Sequence, residues 1–148
     1  MTCIRSRIQL HAPIEEVFDY VTTPGNWPTW HPSSLGVSGA TCHSLEPGER
    51  VTEEYRVAGR CGRVTWTVRE REAPRRWVIE GRTGGGDGKI AYTLASHGDG
   101  TAFEREFVYS TSNPLLALLD KLVLRRRISA ESAEALRRLK NVLEGRAR

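Results

Sequence analysis

Two charged residues stand where the surrounding pattern calls for apolar ones, and any chemistry this chain performs is expected to involve them. Glu53 shares its parity with Val51, Tyr55 and Val57, and Arg105 shares its parity with Phe103, Phe107 and Tyr109. In a strand, residues of one parity lie on one face, so both charges fall on faces that are otherwise apolar. A charge taken out of water must be paired or must shift its pKa. Three readings are open: the two lie near a wet strand end, they form a buried ion pair with each other, or they are polar anchors inside an apolar pocket. In a dry pocket a glutamate can serve as the base that removes an acidic C–H proton, with Arg105 or a tyrosine stabilising the enolate that forms. A glutamate directly beside an arginine would instead have its pKa lowered and be a poor base.

Other reactive residues make no comparable constellation. His11, His31, His43 and His97 fall in loops or at strand ends, and no Ser-His-Asp or Cys-His arrangement is visible. Cys3, Cys42 and Cys61 form no C-x-x-C and have no histidine at metal spacing, so free thiols are expected and no metal. The run Gly84-Gly85-Gly86-Asp87-Gly88 joins two strand patterns and lacks the Lys-Ser/Thr of a phosphate loop and a following helix. No metal or nucleotide cofactor is supported. Net charge is +4 and the pI about 9.2. The excess sits largely in Arg125-Arg126-Arg127 and in Arg137, Arg138, Lys140, Arg146 and Arg148, near a helix C-terminus where cations complement the macrodipole. No zinc-finger spacing, RNP motif or helix-turn-helix accompanies them, so nucleic acid is not an expected partner. No apolar run reaches the ~18 residues of a membrane span. The N-terminus lacks an apolar signal core, and a cytoplasmic location is the expectation.

The elements that must position Glu53 and Arg105 are legible in order. Residues 2–11 alternate, with Ile4, Ser6, Ile8 and Leu10 on one parity. Ala12-Pro13 then opens a short helix with Pro at its first position, acidic Glu15 and Glu16 in the first turn, and Ile14, Val17, Phe18 and Val21 on one stripe. Thr23-Pro24-Gly25 ends it. Asn26-Trp27-Pro28-Thr29-Trp30-His31-Pro32 reads as a second short helix or turn whose tryptophans plug one end of the core, with His31 biased to extended geometry by Pro32. From Leu35 to Tyr109 the period is two, cut by turn signals into six strands over 35–42, 49–58, 63–72, 76–83, 89–97 and 101–110. Short connections make them an antiparallel meander. Val64, Trp66 and Val68 form one apolar set and Ile90, Tyr92 and Leu94 another. On 76–83, Trp77 and Ile79 oppose Val78, and the inner face is left open.

Asn113-Pro114 reads as a helix start, and beyond it neither Pro nor Gly interrupts the chain before Gly145. A long helix over about 113–144 is expected, with the sheet wrapped around it. Leu115, Leu118, Leu119 and Leu122 form one stripe, and Ile128, Leu136, Leu139 and Leu143 a second, rotated stripe beyond Arg125-Arg126-Arg127. Either the helix bends there or its halves face different things. The first half, to which Leu116, Val123 and Leu124 add, is apolar almost all round and suits a cover over a cavity.

This order resembles the helix-grip fold of the START-like (SRPBCC) superfamily, which includes birch-pollen-allergen-type proteins and the polyketide cyclase/dehydrase group. The resemblance spans residues 1–148 as a single domain. It is carried by the stretch from Ile8 to Val21, by Asn26 to Pro32, by Glu46-Pro47-Gly48-Glu49-Arg50-Val51, by Gly98-Asp99-Gly100-Thr101 and by Leu136 to Glu144. It implies an α+β fold: a seven-stranded curved antiparallel sheet around a long C-terminal helix, with two short helices after the first strand and a cavity between sheet and helix. No catalytic motif comes across with it.

The leading expectation is binding of a small, mostly hydrophobic molecule such as a lipid, isoprenoid or aromatic polyketide. Its lining would be Tyr55, Trp66, Tyr92, Phe107 and Leu118, with Glu53 and Arg105 orienting polar groups. The alternative is a cyclase or dehydratase using Glu53 as base. A further alternative is an interaction module, acting through the basic helix end or as a homodimer, with its core filled. The sheet discriminates: Glu53 and Arg105 bonded to each other in a closed core favours the last, and their facing an open pocket separately favours the enzyme.

Overall fold

Antiparallel pairing organises the computed structural model, which describes residues 2–57, 59–83, 86–111, 114–119 and 123–146. Seven strands form one sheet: β1 (Thr2–Leu10), β2 (Ser34–Gly39), β3 (Arg50–Val57), β4 (Arg60–Glu72), β5 (Arg76–Thr83), β6 (Gly86–His97) and β7 (Gly100–Thr111). Their order, β1-β7-β6-β5-β4-β3-β2, is the expected meander, closed at one edge by the first strand returning to the last. Register shifts at Ser34/Gly36 and Val68/Glu70 mark bulges, which add bend and twist to a sheet already twisted by strand chirality.

The helices follow their local signals. Helix α1 (Ile14–Thr22) begins one residue after Pro13, which takes the N-cap in extended geometry, while Glu15 and Glu16 occupy the first turn. Its apolar stripe is buried at Val17, Phe18 and Val21. A 3-10 turn over Pro24–Asn26 leads into the one-turn helix α2 (Trp27–Trp30). Both tryptophans are buried, and Trp27 Nε1 donates to the Val21 carbonyl at 2.9 Å. They do plug one end of the core.

The C-terminal region is described as two helices, α3 (Pro114–Leu119) and α4 (Arg125–Arg146). Asn113, Leu122 and the pair Gly84-Gly85 lie outside the described residues, as does the Leu116 side chain. Helix α4 packs against β1 and α2. Its inner stripe is the second one read from the sequence, with Ile128, Leu136, Leu139 and Leu143 buried together with Ala135 and Ser132. Lys140 Nζ reaches across to the Gln9 carbonyl at 3.2 Å. Helix α3 departs from expectation. Leu115, Leu118, Leu119 and Val123 are exposed, so this segment does not cover the core. An apolar stripe shows that a helix can bury a face, but not that a partner lies within reach, and α3 packs chiefly against β7.

On β5 the open question is resolved by register. Trp77 lies opposite Tyr92 and Ile79 opposite Ile90, so their parity faces the main core. Among the described residues no helix is long and apolar enough to cross a membrane. Cys3, Cys42 and Cys61 are exposed free thiols.

Candidate functional site

The concave face of the sheet, helix α2 and the start of α4 enclose a half-open cavity of about 240 Å³. Six residues singled out in the sequence line it: Glu53 and Tyr55 from β3, Trp66 from β4, Tyr92 from β6, and Arg105 and Phe107 from β7. Leu118 does not. It stands 58% exposed on α3, and α4 supplies the helical wall instead through Ile128, Glu131 and Ser132, with Leu124 just before it.

Glu53 and Arg105 share the cavity without touching. Strands β3 and β7 have three strands between them, which at ~4.8 Å per strand is about 19 Å of sheet. Curvature alone brings the two charges to one space. Glu53 is partly buried and accepts a hydrogen bond from Trp66 Nε1 at 3.0 Å. Burial pushes its carboxyl above the usual 4.5. The hydrogen bond from Trp66, the nearby Ser34 hydroxyl and the charge of Arg105 offset part of that rise. The lowered pKa expected of a glutamate beside an arginine is therefore not what this geometry produces.

Arg105 is 5% exposed. Its Nη1 donates to Ser132 Oγ at 3.2 Å, its guanidinium lies 5.6 Å from the centre of the Phe107 ring, and it contacts the Tyr92 hydroxyl. Tyr92 is held in place by a stack on Trp77, with centroids 5.4 Å apart, and by an edge contact with Phe103 at 5.2 Å. Burial raises its hydroxyl pKa to about 12, so it is a neutral donor at any physiological pH.

His31 also lines the cavity, where the sequence suggested only a loop position. The backbone N–H of Ser33 donates to its Nδ1 at 3.1 Å. A nitrogen that accepts carries no proton, so the ring is neutral with its hydrogen on Nε2. Burial first, then the charges of Arg105 and Arg138, hold its pKa well below 6.5. Ser33 and Ser132 were missed as well. Ser132 had a readable signal, since it sits four residues after Ile128 and four before Leu136, at a polar position on the inner stripe of α4.

Opposite pH dependences follow from these two groups. An acid whose folded pKa is raised binds its proton more tightly in the native state, so stability falls as pH climbs from 4.5 through the folded value. A histidine whose folded pKa is depressed contributes fully above 6.5, and that contribution is lost as pH falls below it. Glu53→Gln keeps an acceptor for Trp66 Nε1, and its urea midpoint is expected to gain on wild type progressively between pH 4 and pH 8. His31→Asn keeps an acceptor for the Ser33 N–H, and the wild-type loss of stability between pH 7 and pH 5 is expected to shrink. Parallel curves for wild type and variant would contradict either assignment.

Comparison with known proteins accords with this geometry. The family described as polyketide cyclase / dehydrase and lipid transport matches residues 1–144. The chain belongs to this family. Among solved structures, TTHA0849 from Thermus thermophilus is similar with a TM-score of 0.82 at 13% identity, covering 99% of this chain and 100% of that one. CalU16 from Micromonospora echinospora gives 0.62 at 23% identity, over 97% and 74% of the two chains. The Aha1 dimer from Colwellia psychrerythraea gives 0.65 at 19% identity, over 97% of each. At these identities the likeness shows the fold. No curated protein matches significantly. For this cyclase/dehydrase family member, the helix-grip architecture is thus established, and the questions that remain concern what its cavity holds.

Proposed function

We propose that the chain binds a small, mostly hydrophobic molecule, of lipid, isoprenoid or aromatic polyketide type, between the sheet and α4. The observation that carries this reading is convergence. Aromatic and aliphatic side chains from β3, β4, β6, β7 and α4 meet around one space with a few polar groups among them, the usual make-up of a small-molecule site. A dry cavity of roughly 150 Å³ takes one benzene, so about 240 Å³ suits a bicyclic ring or a short chain, and the open end lets a longer tail emerge.

Native mass spectrometry of the purified protein, with denaturing extraction of whatever it carries, tests this together with titration of the neutral dye Nile red. A near-stoichiometric apolar molecule, or saturable dye binding that such molecules displace, is the expected result. An empty protein that leaves the dye dark would overturn the reading. The same spectra count protomers and so test self-association. One similar solved structure is a dimer, and the exposed leucines of α3 offer apolar surface for such a contact.

A second reading, catalysis, is favoured by the separation of Glu53 from Arg105 within one cavity. Glu53 removes a C–H proton next to a carbonyl and becomes neutral. The electron pair moves onto the carbonyl oxygen, which Arg105 or Tyr92 stabilises, and the proton is returned at carbon or lost with a leaving hydroxide as water. Deuterium exchange into 2-tetralone, a bicyclic ketone, is expected to be faster with the protein than without it. Glu53→Gln is expected to lower that excess by roughly 10²- to 10⁴-fold while Nile red still binds. Exchange unaffected by the substitution removes Glu53 from the chemistry.

A further inference from the structure

Arg105 carries a buried charge that no carboxylate among the described residues neutralises by contact. Arg105 takes part in none of the described ion pairs. The three carboxyls that share its cavity are bonded to other groups: Glu53 accepts from Trp66 Nε1 at 3.0 Å, Asp87 pairs with Arg82 at 3.4 Å, and Glu131 accepts from Ser33 Oγ at 2.8 Å. Among the described residues Arg105 holds only a neutral serine hydroxyl, a neutral phenol and the face of Phe107. Its Nε–H has no partner among the described groups, and neither does the Nε2–H of His31, another residue of the cavity wall. An arginine presents five donors in a plane and matches a carboxylate with two parallel bonds. Burying such a cation against phenyl and phenol groups, with no anion in contact, is a large cost for a fold to carry. It is relieved if the ligand brings the anion.

We propose that the inner end of the cavity is a receptor for an anionic oxygen, with Arg105 as its cationic anchor and His31 as a neutral second donor, so that the ligand is an apolar body bearing a carboxylate or an enolate. The alternating strands set the arrangement: Tyr92 lies opposite Arg105 on one side and Ser6 on the other, so the charge emerges in the middle of an apolar face rather than at a strand end. Trp66, Tyr55 and Phe107 line the wall around the body of such a molecule.

This inference rests on the proposed binding role, and its test separates the two. The probes are 2-naphthoate and 2-naphthamide, alike in shape but differing in charge, each titrated at pH 7.5 by displacement of Nile red and by calorimetry. Wild type is expected to bind the naphthoate roughly 10- to 100-fold more tightly than the amide, the range of a hydrogen bond to a charged group. In Arg105→Met the two probes are expected to bind alike, whereas Arg105→Lys keeps part of the preference. Thermal melts establish that each variant is folded, and the wild-type ratio decides the matter even if one is not. Equal affinity of wild type for both probes, with dye binding intact, overturns the anion receptor and leaves the cavity reading standing. Failure to bind dye and both probes overturns both.

Discussion

Trp77→Ala is expected to lower unfolding free energy by about 3–5 kcal/mol, the largest loss of any single truncation proposed for this chain. Trp77 is fully buried, and its Nε1 donates to the Leu45 carbonyl at 3.0 Å. One face stacks on Tyr92 at 5.4 Å, and Trp27 meets it edge-on at 6.2 Å. Truncation therefore removes an aromatic body from between two rings and leaves a buried carbonyl without its donor. The second effect alone costs roughly 1–3 kcal/mol, though the two do not simply add. Against a total stability of about 5–15 kcal/mol, the variant should melt on the order of 10 °C lower. Urea unfolding followed by far-ultraviolet circular dichroism measures it. A change below about 1 kcal/mol would mean that the ring is not packed as described. Loss of the ring also frees Tyr92, so Nile red affinity should fall in parallel.

Gly81→Val is expected to close the cavity. Gly81 faces Trp66 across β4 and Gly88 across β6, and the indole of Trp66 lies over both glycines. A β-carbon at Gly81 would stand 2.6 Å from Val64 Cγ2 and 2.8 Å from Trp66 Cε3. At Gly88 it would stand 3.3 Å from both Trp66 Cη2 and Phe107 Cε1. The valine must therefore push the indole into the space where ligand would sit, and away from Glu53. Overpacking of this kind costs about 1–3 kcal/mol, and Nile red affinity is expected to drop more than ~10-fold, since 1.4 kcal/mol is already a factor of ten. Gly36→Ala is the control. A β-carbon there meets nothing within 4 Å, and stability should stay within about 0.5 kcal/mol of wild type. Dye binding by Gly81→Val equal to wild type would show that Trp66 has room to retreat.

Much of this arrangement was legible in the residues. Alternation over β3, β4, β6 and β7 identified the inner parity, and with it Glu53, Tyr55, Trp66, Tyr92, Arg105 and Phe107 as one set. The same parity made the two charges conspicuous. On β5 the alternation was illegible because Trp77, Val78 and Ile79 are consecutive apolar residues and all three are buried.

What the sequence by itself determined is what depends on neighbours along the chain: the strands and their turns, the apolar face of each, and the buried stripe of α4. Side-chain direction in a strand follows from a period of two and needs no knowledge of the rest of the molecule. Only the tertiary structure decided what depends on how far the sheet bends. Curvature carried Glu53 and Arg105 from strands towards opposite ends of the sheet to one cavity, and drew His31, in no strand or helix of its own, against its wall. It also left Leu115, Leu118 and Leu119 of α3 in the open and gave the helical wall to α4. An apolar stripe records that a surface gains by being covered, whereas which surface covers it is settled by the packing of elements far apart in sequence.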